Sequence, residues 1–499
     1  MAEKSPRASK GLLSYVSRSW IGLAGAALAA FALLILLVLI AYDLLRGFDQ
    51  PYLGVVVYLI LPAAVFAGLI LMGLGAWHQR RLETRLGVTQ GLPRLDLNDP
   101  RHRRNLLLTV IVVSVFLVFS AYGSYRAYEV TESVAFCGQL CHQVMEPVYT
   151  TYQNSPHARV ACVECHIGEG AEWYVRAKIS GLRQVYAVLA DSYPRPIPVP
   201  VHNLRPAPET CEQCHWPEKF IGALEVHRHY YLPDADNTLY RMVMMLKVGG
   251  ASPLHGPVSG IHWHMSVAND IRYISADETR TVIPWVEITN RETGKTTVYR
   301  TRDTPPGQEL QARPVRRMDC VDCHNRPTHI FRSPNAALNI SLWLDRIDKS
   351  IPGIKLSASR ALVTAADAVS KQQGLDQIGQ LIAEEYAEYR DPEKIRQAVR
   401  ETRRIYTNNF FPEMKTNWQV RPDHSGHFIW PGCFRCHDGE HVSPQGEVIS
   451  KDCNACHVII SQGLGQEPPV TDLGGVPFAH PGGEIPGGLS CNLCHTGAH

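Results

Sequence analysis

The chain has almost no surplus charge. Its 49 Lys and Arg stand against 47 Asp and Glu, a net of +2 over 499 residues. Such a balance gives nucleic acid nothing to bind, and no nucleic-acid partner is expected. A removable leader is also missing. The first long apolar run, about Trp20 to Ala41, is too long for a signal peptide, and no small-residue cleavage site follows it before Asp43. It reads as an uncleaved signal anchor. Finally, no cysteine is left over. All fourteen fall into pairs, each pair followed at once by histidine. A disulfide framework has no need for that histidine, and zinc sites built on paired cysteines do not carry it invariably.

Six of the pairs are strict C-x-x-C-H: Cys162/Cys165/His166, Cys211/Cys214/His215, Cys320/Cys323/His324, Cys433/Cys436/His437, Cys453/Cys456/His457 and Cys491/Cys494/His495. The seventh, Cys137/Cys141/His142, has one extra residue between the thiols. Two thiols add across the two vinyl groups of haem b, and the spacer sets their separation. The adjacent histidine then meets the iron from the same side. Seven covalently bound haem c groups are therefore expected. In the long first motif, FCGQLCHQVMEP, a helical backbone would put His142 and Met145 on one face, so only one of them could ligate.

Three apolar runs precede that motif: about Trp20 to Ala41, Leu53 to Trp77 and Leu106 to Tyr122. Each approaches the roughly 20 residues that cross a hydrocarbon core. Lys4, Arg7, Lys10 and Arg18 lead the first run, and Arg80, Arg81, Arg85, Arg94, Arg101, Arg103 and Arg104 separate the second from the third. The positive-inside rule makes both segments cytoplasmic. Everything after the third run is then periplasmic, the side on which c-type haem is attached. The expected protein is a multi-pass cytochrome of the inner membrane, in contact with the lipid bilayer.

The expected fold is a membrane-anchored multihaem cytochrome: three transmembrane helices, then a mostly α-helical and irregular periplasmic haem domain with a small β-hairpin insertion. The anchor occupies 1–130. A tetrahaem domain follows over 131–330, with an insertion at about 219–316. There TVIPWVEIT and TTVYRT flank a turn at Asn290–Lys295 and alternate as paired strands do. A cysteine-free helical connector covers 331–415, opening at Ser333-Pro334. A Gly/Pro-rich trihaem domain takes 416–499, with the haems themselves as its core.

The order CHQVM, SPHARVACVECH, ETCEQCH, CVDCHNRPTH resembles the NapC/NirT/NrfH family of membrane-anchored quinol dehydrogenases, over roughly Ser133 to His329. Three spans and three added haems depart from the basic family. The whole layout is similar to heptahaem inner-membrane cytochromes of metal-respiring bacteria (the ImcH type). The resemblance implies quinol as substrate, menaquinol or ubiquinol, and periplasmic c-type cytochromes as electron acceptors in anaerobic or extracellular respiration. It implies distal ligation by His157 and His329, ligation of the first iron by Met145, and a quinol-site lysine at Lys178. The family's acidic partner is out of register, and Asp191 is the nearest downstream candidate. An oligomer is compatible with this reading.

The residues support an interfacial role for Lys178 independently. Residues 171 to 192 read as an amphipathic helix with Trp173, Tyr174, Val175, Ile179, Leu182, Tyr186 and Leu189 as apolar members. Lys178 on it could donate to a quinol oxygen or merely snorkel to solvent. Thirteen histidines outside the motifs follow the anchor, more than seven irons need. His427 and His441 flank the fifth motif, and His480 precedes the seventh; these join His157 and His329 as favoured second ligands. His202, His227, His229, His255, His262 and His264 compete for the remainder. Ligation by histidine on both sides closes the iron and makes a carrier. A terminal reductase of a nitrogen or sulfur oxyanion would need one open iron, and a third reading is an electron-storage subunit of another quinol enzyme.

Overall fold

The computed structural model describes residues 15–46, 56–86, 98–201, 204–249, 259–304, 310, 312–465, 471–485 and 489–498. They fall into two compact units, Met1–Phe136 with Ile167–Ser180, and Cys137–His166 with Gly181–His499.

The first unit holds helices α1 (Trp20–Arg46), α2 (Leu61–Leu86) and α3 (Pro100–Glu132). Among the described residues two helices, not three, have the length and apolarity of a span: Trp20–Tyr42 at mean hydropathy 2.9 and Leu61–Leu86 at 1.6. The third expected run lies inside α3, where many side chains fall outside the described set. α1 and α2 run antiparallel and meet through small residues. A Cβ on Gly25 would sit 2.7 Å from the Gly68 carbonyl oxygen, and one on Gly68 would sit 2.7 Å from the Ala29 amide nitrogen. Only hydrogen fits at that crossing, which is how helices associate where lipid removes any hydrophobic drive between them. Their outer faces are bare apolar surface, with Phe31 and Phe66 each 65% exposed. These helices are the N-terminal membrane anchor. Arg18, ahead of α1, reaches Glu83 near the end of α2 at 3.6 Å.

In the second unit, α4 (His142–Gln153) follows the first motif. Helix α5 (Ala171–Leu189) starts in the first unit and ends in the second. Four helices form the main apolar core: α6 (Pro334–Trp343), α7 (Ile354–Ala365), α8 (Lys371–Glu385) and α9 (Pro392–Asn409). Leu338, Leu342, Ile354, Leu362, Ile378 and Ile382 are wholly buried there. Each such side chain contributes about 1.5–3 kcal/mol of transfer free energy. The starts are capped as the residues dictate. The Ser333 hydroxyl accepts from the Ala336 amide ahead of Pro334, Ser370 accepts from Gln373, and Asp391 accepts from Glu393 ahead of Pro392.

The strand content exceeds one small hairpin. β1 (Leu224–Tyr231), β2 (Leu239–Leu246) and β8 (His457–Leu464) make an antiparallel sheet in that order. A second sheet runs β6 (Arg316–Arg317), β3 (Asn269–Ile274), β4 (Trp285–Asn290), β5 (Thr296–Thr301) and β7 (His441–Val442). The β4–β5 turn is closed by Asn290, whose side-chain oxygen accepts from the Glu292 and Thr293 amides at 3.0 and 2.9 Å. Both sheets join strands of the expected insertion to strands beyond residue 440. The insertion is thus shared with the C-terminal haem segment rather than confined to the tetrahaem part.

Candidate functional site

Five of the attachment motifs take a single helical turn. Cys162–His166 and Cys320–Cys323 are α-helical; Gly432–Arg435, Cys453–Ala455 and Cys491–Leu493 are 3-10. Residues three apart nearly eclipse on such turns, which brings the two thiols of a pair toward one side. The fourth is tied most firmly: Asp319 and Asp322 form a capping box around it.

The first pair, Cys137 and Cys141, departs from the other six. Cys141 shares no turn with Cys137. The short helix Val134–Gln139 ends between them, and Cys141, half-buried, stands as the N-cap of α4. The extra residue in the spacer is the reason. Cys214 falls beyond the helix Ala207–Cys211; its amide donates back to the Cys211 carbonyl at 3.2 Å, and its side chain is exposed while Cys211 is half-buried. Cys494 follows the last turn as its C-cap, with its amide on the Cys491 carbonyl at 3.1 Å, and it too is exposed beside a half-buried partner. In the second, third, sixth and seventh pairs one thiol is half-buried and the other, Cys165, Cys214, Cys453 or Cys494, is exposed. Thioether bonds at the motif cysteines belong to the proposal below.

Six motif histidines each face one other histidine. Ring centroids lie 6.3 Å apart for His166 and His329, and 6.1 Å for His215 and His157. They lie 6.5 Å apart for His324 and His262, and 5.8 Å for His437 and His264. The last two pairs, His457 with His427 and His495 with His480, are at 6.2 and 6.0 Å. Two imidazoles on opposite sides of one metal, with bonds of about 2 Å, need about this centroid spacing. The second nitrogen is held as well. Nδ1 of His157, His262, His264 and His329 lies 2.7–3.0 Å from the carbonyls of Pro327, Val248, Ile261 and Val148. Donation there leaves Nε2 bare toward the facing ring. Burial also lowers the pKa of His166, His264, His324, His427 and His457, and carries His329 down to about 4, which keeps the neutral, ligating form. The residues fit covalently held haem with histidine on both faces.

Against the sequence-based candidates, this geometry gathers His157, His329, His427 and His480 and displaces one. His441 is fully buried with both ring nitrogens engaged, by Asp438 at 2.9 Å and the Ile283 carbonyl at 2.7 Å, and it faces no motif histidine. With both its ring nitrogens engaged, it is not presented to a motif histidine as the other four are. The competitors His262 and His264 do face motif histidines; the signal was two histidines two residues apart in IHWHM. His227 sits beside Glu225 at 2.6 Å, and His229 stacks on Trp343. His202 and His255 lie outside the described residues. In the first motif the backbone is helical from His142 through Met145, so the two residues share a face. Met145 is half-buried; the His142 side chain lies outside the described set.

The motifs also neighbour one another in chain order. The Cys137 and Cys162 thiols interact, as do those of Cys211 and Cys320. Cys165 lies close enough to Cys211 for their charges to interact, and the same holds for Cys323 with Cys433, Cys456 with Cys433, and Cys491 with Cys453. First neighbours second, second third, and so on to the seventh.

In the first unit, Lys178 on α5 is drawn back onto the end of α3. Its Nζ lies 2.5 Å from Glu132 Oε1, 3.2 Å from Thr131 Oγ1 and 4.8 Å from the Tyr174 ring centre. A snorkelling lysine would point to water instead. Lys178 lines a cavity of about 330 Å³ with Tyr128, Thr131 and Tyr174. The other expected acid, Asp191, is engaged by Arg195 at 2.5 Å, so the lysine's carboxylate partner is Glu132. Along α5, Ile179, Leu182, Tyr186 and Leu189 are 64–82% exposed, an apolar stripe of the kind that lies in a bilayer interface.

Residues 100–196 match the model of the NapC/NirT cytochrome c family, N-terminal region. The chain is 42% identical over 490 residues to the cytochrome c-type protein ImcH of Geobacter sulfurreducens, covering 96% of this chain and 95% of that one. It is 35% identical over 78 residues to the cytochrome c-type protein NrfH of Wolinella succinogenes, covering 15% of this chain and 44% of that one. No solved structure matches it. The chain belongs to the NapC/NirT cytochrome c family, in its ImcH-type branch.

Proposed function

We propose that this membrane-anchored electron-transfer cytochrome is a quinol dehydrogenase. It takes electrons from menaquinol or ubiquinol and delivers them, through seven covalently bound haems, to periplasmic c-type cytochromes. The observation that carries this reading is the Lys178–Glu132 pair at 2.5 Å on the wall of the 330 Å³ cavity. Quinol oxidation releases two electrons and two protons, so the site needs a donor to hold a quinol oxygen and a base to take the proton. Lys178 supplies the first, and the Glu132 carboxylate supplies the second. Tyr128 and Tyr174, with ring centres 5.7 Å apart, offer flat apolar faces to a quinone ring. When bound, each haem supplies one-electron acceptance and release. Six facing histidine pairs leave those irons no open position, which favours carriers over a terminal reductase.

Lys178, Asp191 and the iron ligands fall into distinct roles under this reading. Lys178 and Glu132 act on quinol, and Asp191 is an exposed ion pair with Arg195. Cys141, Cys214 and Cys494 each supply the second thioether of their motif, the haem covering what the protein leaves bare. The anchor has a cytoplasmic N-terminus, three spans including the run in α3, and a periplasmic haem portion. The deciding experiment uses the full chain purified in detergent, given a reduced quinol analogue, with haem reduction followed by absorbance. Reduction that depends on Lys178 supports the reading; a chain that dithionite reduces but quinol does not would sink it.

A further inference from the structure

The turn Ile261–Met265, IHWHM, is only five residues long, and it carries two of the six facing histidines. His262 faces His324 of the fourth motif at 6.5 Å, and His264 faces His437 of the fifth at 5.8 Å. Each ring is fixed from behind, by the Val248 carbonyl at 2.9 Å and the Ile261 carbonyl at 2.7 Å. Phe220 stacks on His262 at 4.3 Å and packs the turn from one side. The turn itself is anchored at both ends. The Ile261 amide donates to the Lys247 carbonyl at the end of β2, and Asn269, opening β3, donates its side-chain amide to the Trp263 carbonyl.

The two attachment loops are clamped together independently of that turn. Arg435 lies between the cysteines of the fifth motif and is buried. Its Nη2 donates to the Asp322 carbonyl, inside the fourth motif, at 2.6 Å; its Nη1 donates to the Arg280 carbonyl at 2.9 Å. The Asp322 carboxylate is itself buried and held by Arg280 at 3.0 Å, Arg316 at 2.8 Å and Tyr273 at 2.6 Å. A buried guanidinium or carboxylate with this many partners is costly to disturb. Arg435 therefore ties the two motifs directly to each other. The sheets repeat the arrangement: β2 pairs with β8, which starts at His457, and β5 pairs with β7.

We propose that Ile261–Met265 is a two-iron ligand bridge. His262 is the second ligand of the haem attached at Cys320–His324, and His264 is the second ligand of the haem attached at Cys433–His437. One turn thereby fixes the haem pair at which the first four sites meet the last three. The proposal rests on the seven-haem reading, and it states what the inserted segment is for. It makes the junction rigid, so that the spacing of these two haems does not depend on docking between separate domains. Electron transfer between the two halves then proceeds at a fixed distance.

The test is spectroscopic and needs no quinol. Full-length His264→Met and His262→Met proteins are compared with the parent by haemochrome assay, intact mass and near-infrared magnetic circular dichroism. Each variant keeps seven haems, because attachment is through cysteine, and each converts one bis-histidine haem to histidine–methionine. In a Cys433→Ala/Cys436→Ala background with six haems, His264→Met produces no further change while His262→Met still does. His227→Met, on the exposed face of β1, changes nothing. An unaltered His264→Met spectrum, or one that still changes after the fifth haem is removed, overturns the proposal. Should the variants fail to accumulate, the parent decides: the bridge requires six bis-histidine haems, and a count of four overturns it. A haem count below seven would instead count against the attachment reading, whatever the ligands.

Discussion

Lys178 Nζ sits 2.5 Å from Glu132 Oε1, which ties α5 to the last residue of α3. The pair is partly shielded, with the Glu132 side chain 13% exposed and that of Lys178 33%. In such a setting a charge-assisted hydrogen bond holds the two side chains together without a bound substrate. A quinol hydroxyl entering the cavity can insert between them and exchange one partner for another.

Lys178→Met removes the donor and Glu132→Gln removes the base. Each is expected to lower quinol-dependent haem reduction by about 100-fold, the low end of what a positioned acid or base contributes. Lys178→Arg keeps charge and is expected to lose less. Haem content and dithionite-reduced spectra stay at parent values in all three. Parent rates in both Lys178→Met and Glu132→Gln would make this pair a purely structural tie.

The first motif has its own expected signature. Met145 follows His142 by one turn on α4, from the same side of the attachment point. The expected outcome is one haem with a thioether or high-spin signal beside six bis-histidine haems, lost in Met145→Leu while seven haems are retained. Seven low-spin bis-histidine haems in the parent would contradict it.

The parts of this site that were legible in the chain are those whose chemistry is local. A haem needs two thiols and a histidine within a few residues, so the seven candidate motifs can be read directly. Only the first pair is split between two helices, Cys137 on one and Cys141 capping the next, because its spacer is one residue longer. The second ligands cannot be read in the same way, because the iron joins segments that the backbone does not. His329 follows the fourth motif yet faces His166 of the second, and His157 precedes the second yet faces His215 of the third. His441, beside the fifth motif, is taken by Asp438 and Ile283 instead. Glu132 is not legible as the lysine's partner, because it lies 46 residues upstream at the end of another helix. The helix that carries Leu338 announces itself through its Ser333-Pro334 cap, and α9 through Asp391-Pro392. The sheets do not. β7 is two residues long, and β8 opens on the histidine of a haem motif, so neither shows a strand-length alternation.

Membrane topology is testable without purified protein. Arg18 and the arginines at the end of α2 lie at one end of the α1–α2 pair, the end expected in the cytoplasm. A reporter fused near Asp96 should be active only in the cytoplasm, and one fused after His499 only in the periplasm. Periplasmic activity at the Asp96 fusion would reverse the orientation.

The helical core offers a prediction in pH. Lys355 on α7 is 3% exposed, and its ammonium donates to the Tyr231 carbonyl. Burial lowers its pKa to about 8, against about 10.4 for a free lysine. The charged form is thus disfavoured in the folded chain. Between about pH 8 and 10.4 the unfolded chain binds the extra proton, so stability rises with pH across that window. Below it, the cost of the buried charge is fully present; above it, the cost is gone. The full shift corresponds to roughly 3 kcal/mol. Lys355→Met abolishes the titration but also leaves the Tyr231 carbonyl without this donor, which costs about 1–3 kcal/mol. The measurement is therefore a difference. Thermal unfolding of parent and variant is followed by far-ultraviolet circular dichroism from pH 7.5 to 10.5. The parent should gain stability relative to Lys355→Met as pH rises. A difference that stays flat across the window would mean that Lys355 keeps an ordinary pKa in the folded chain, through water or a carboxylate reaching its ammonium.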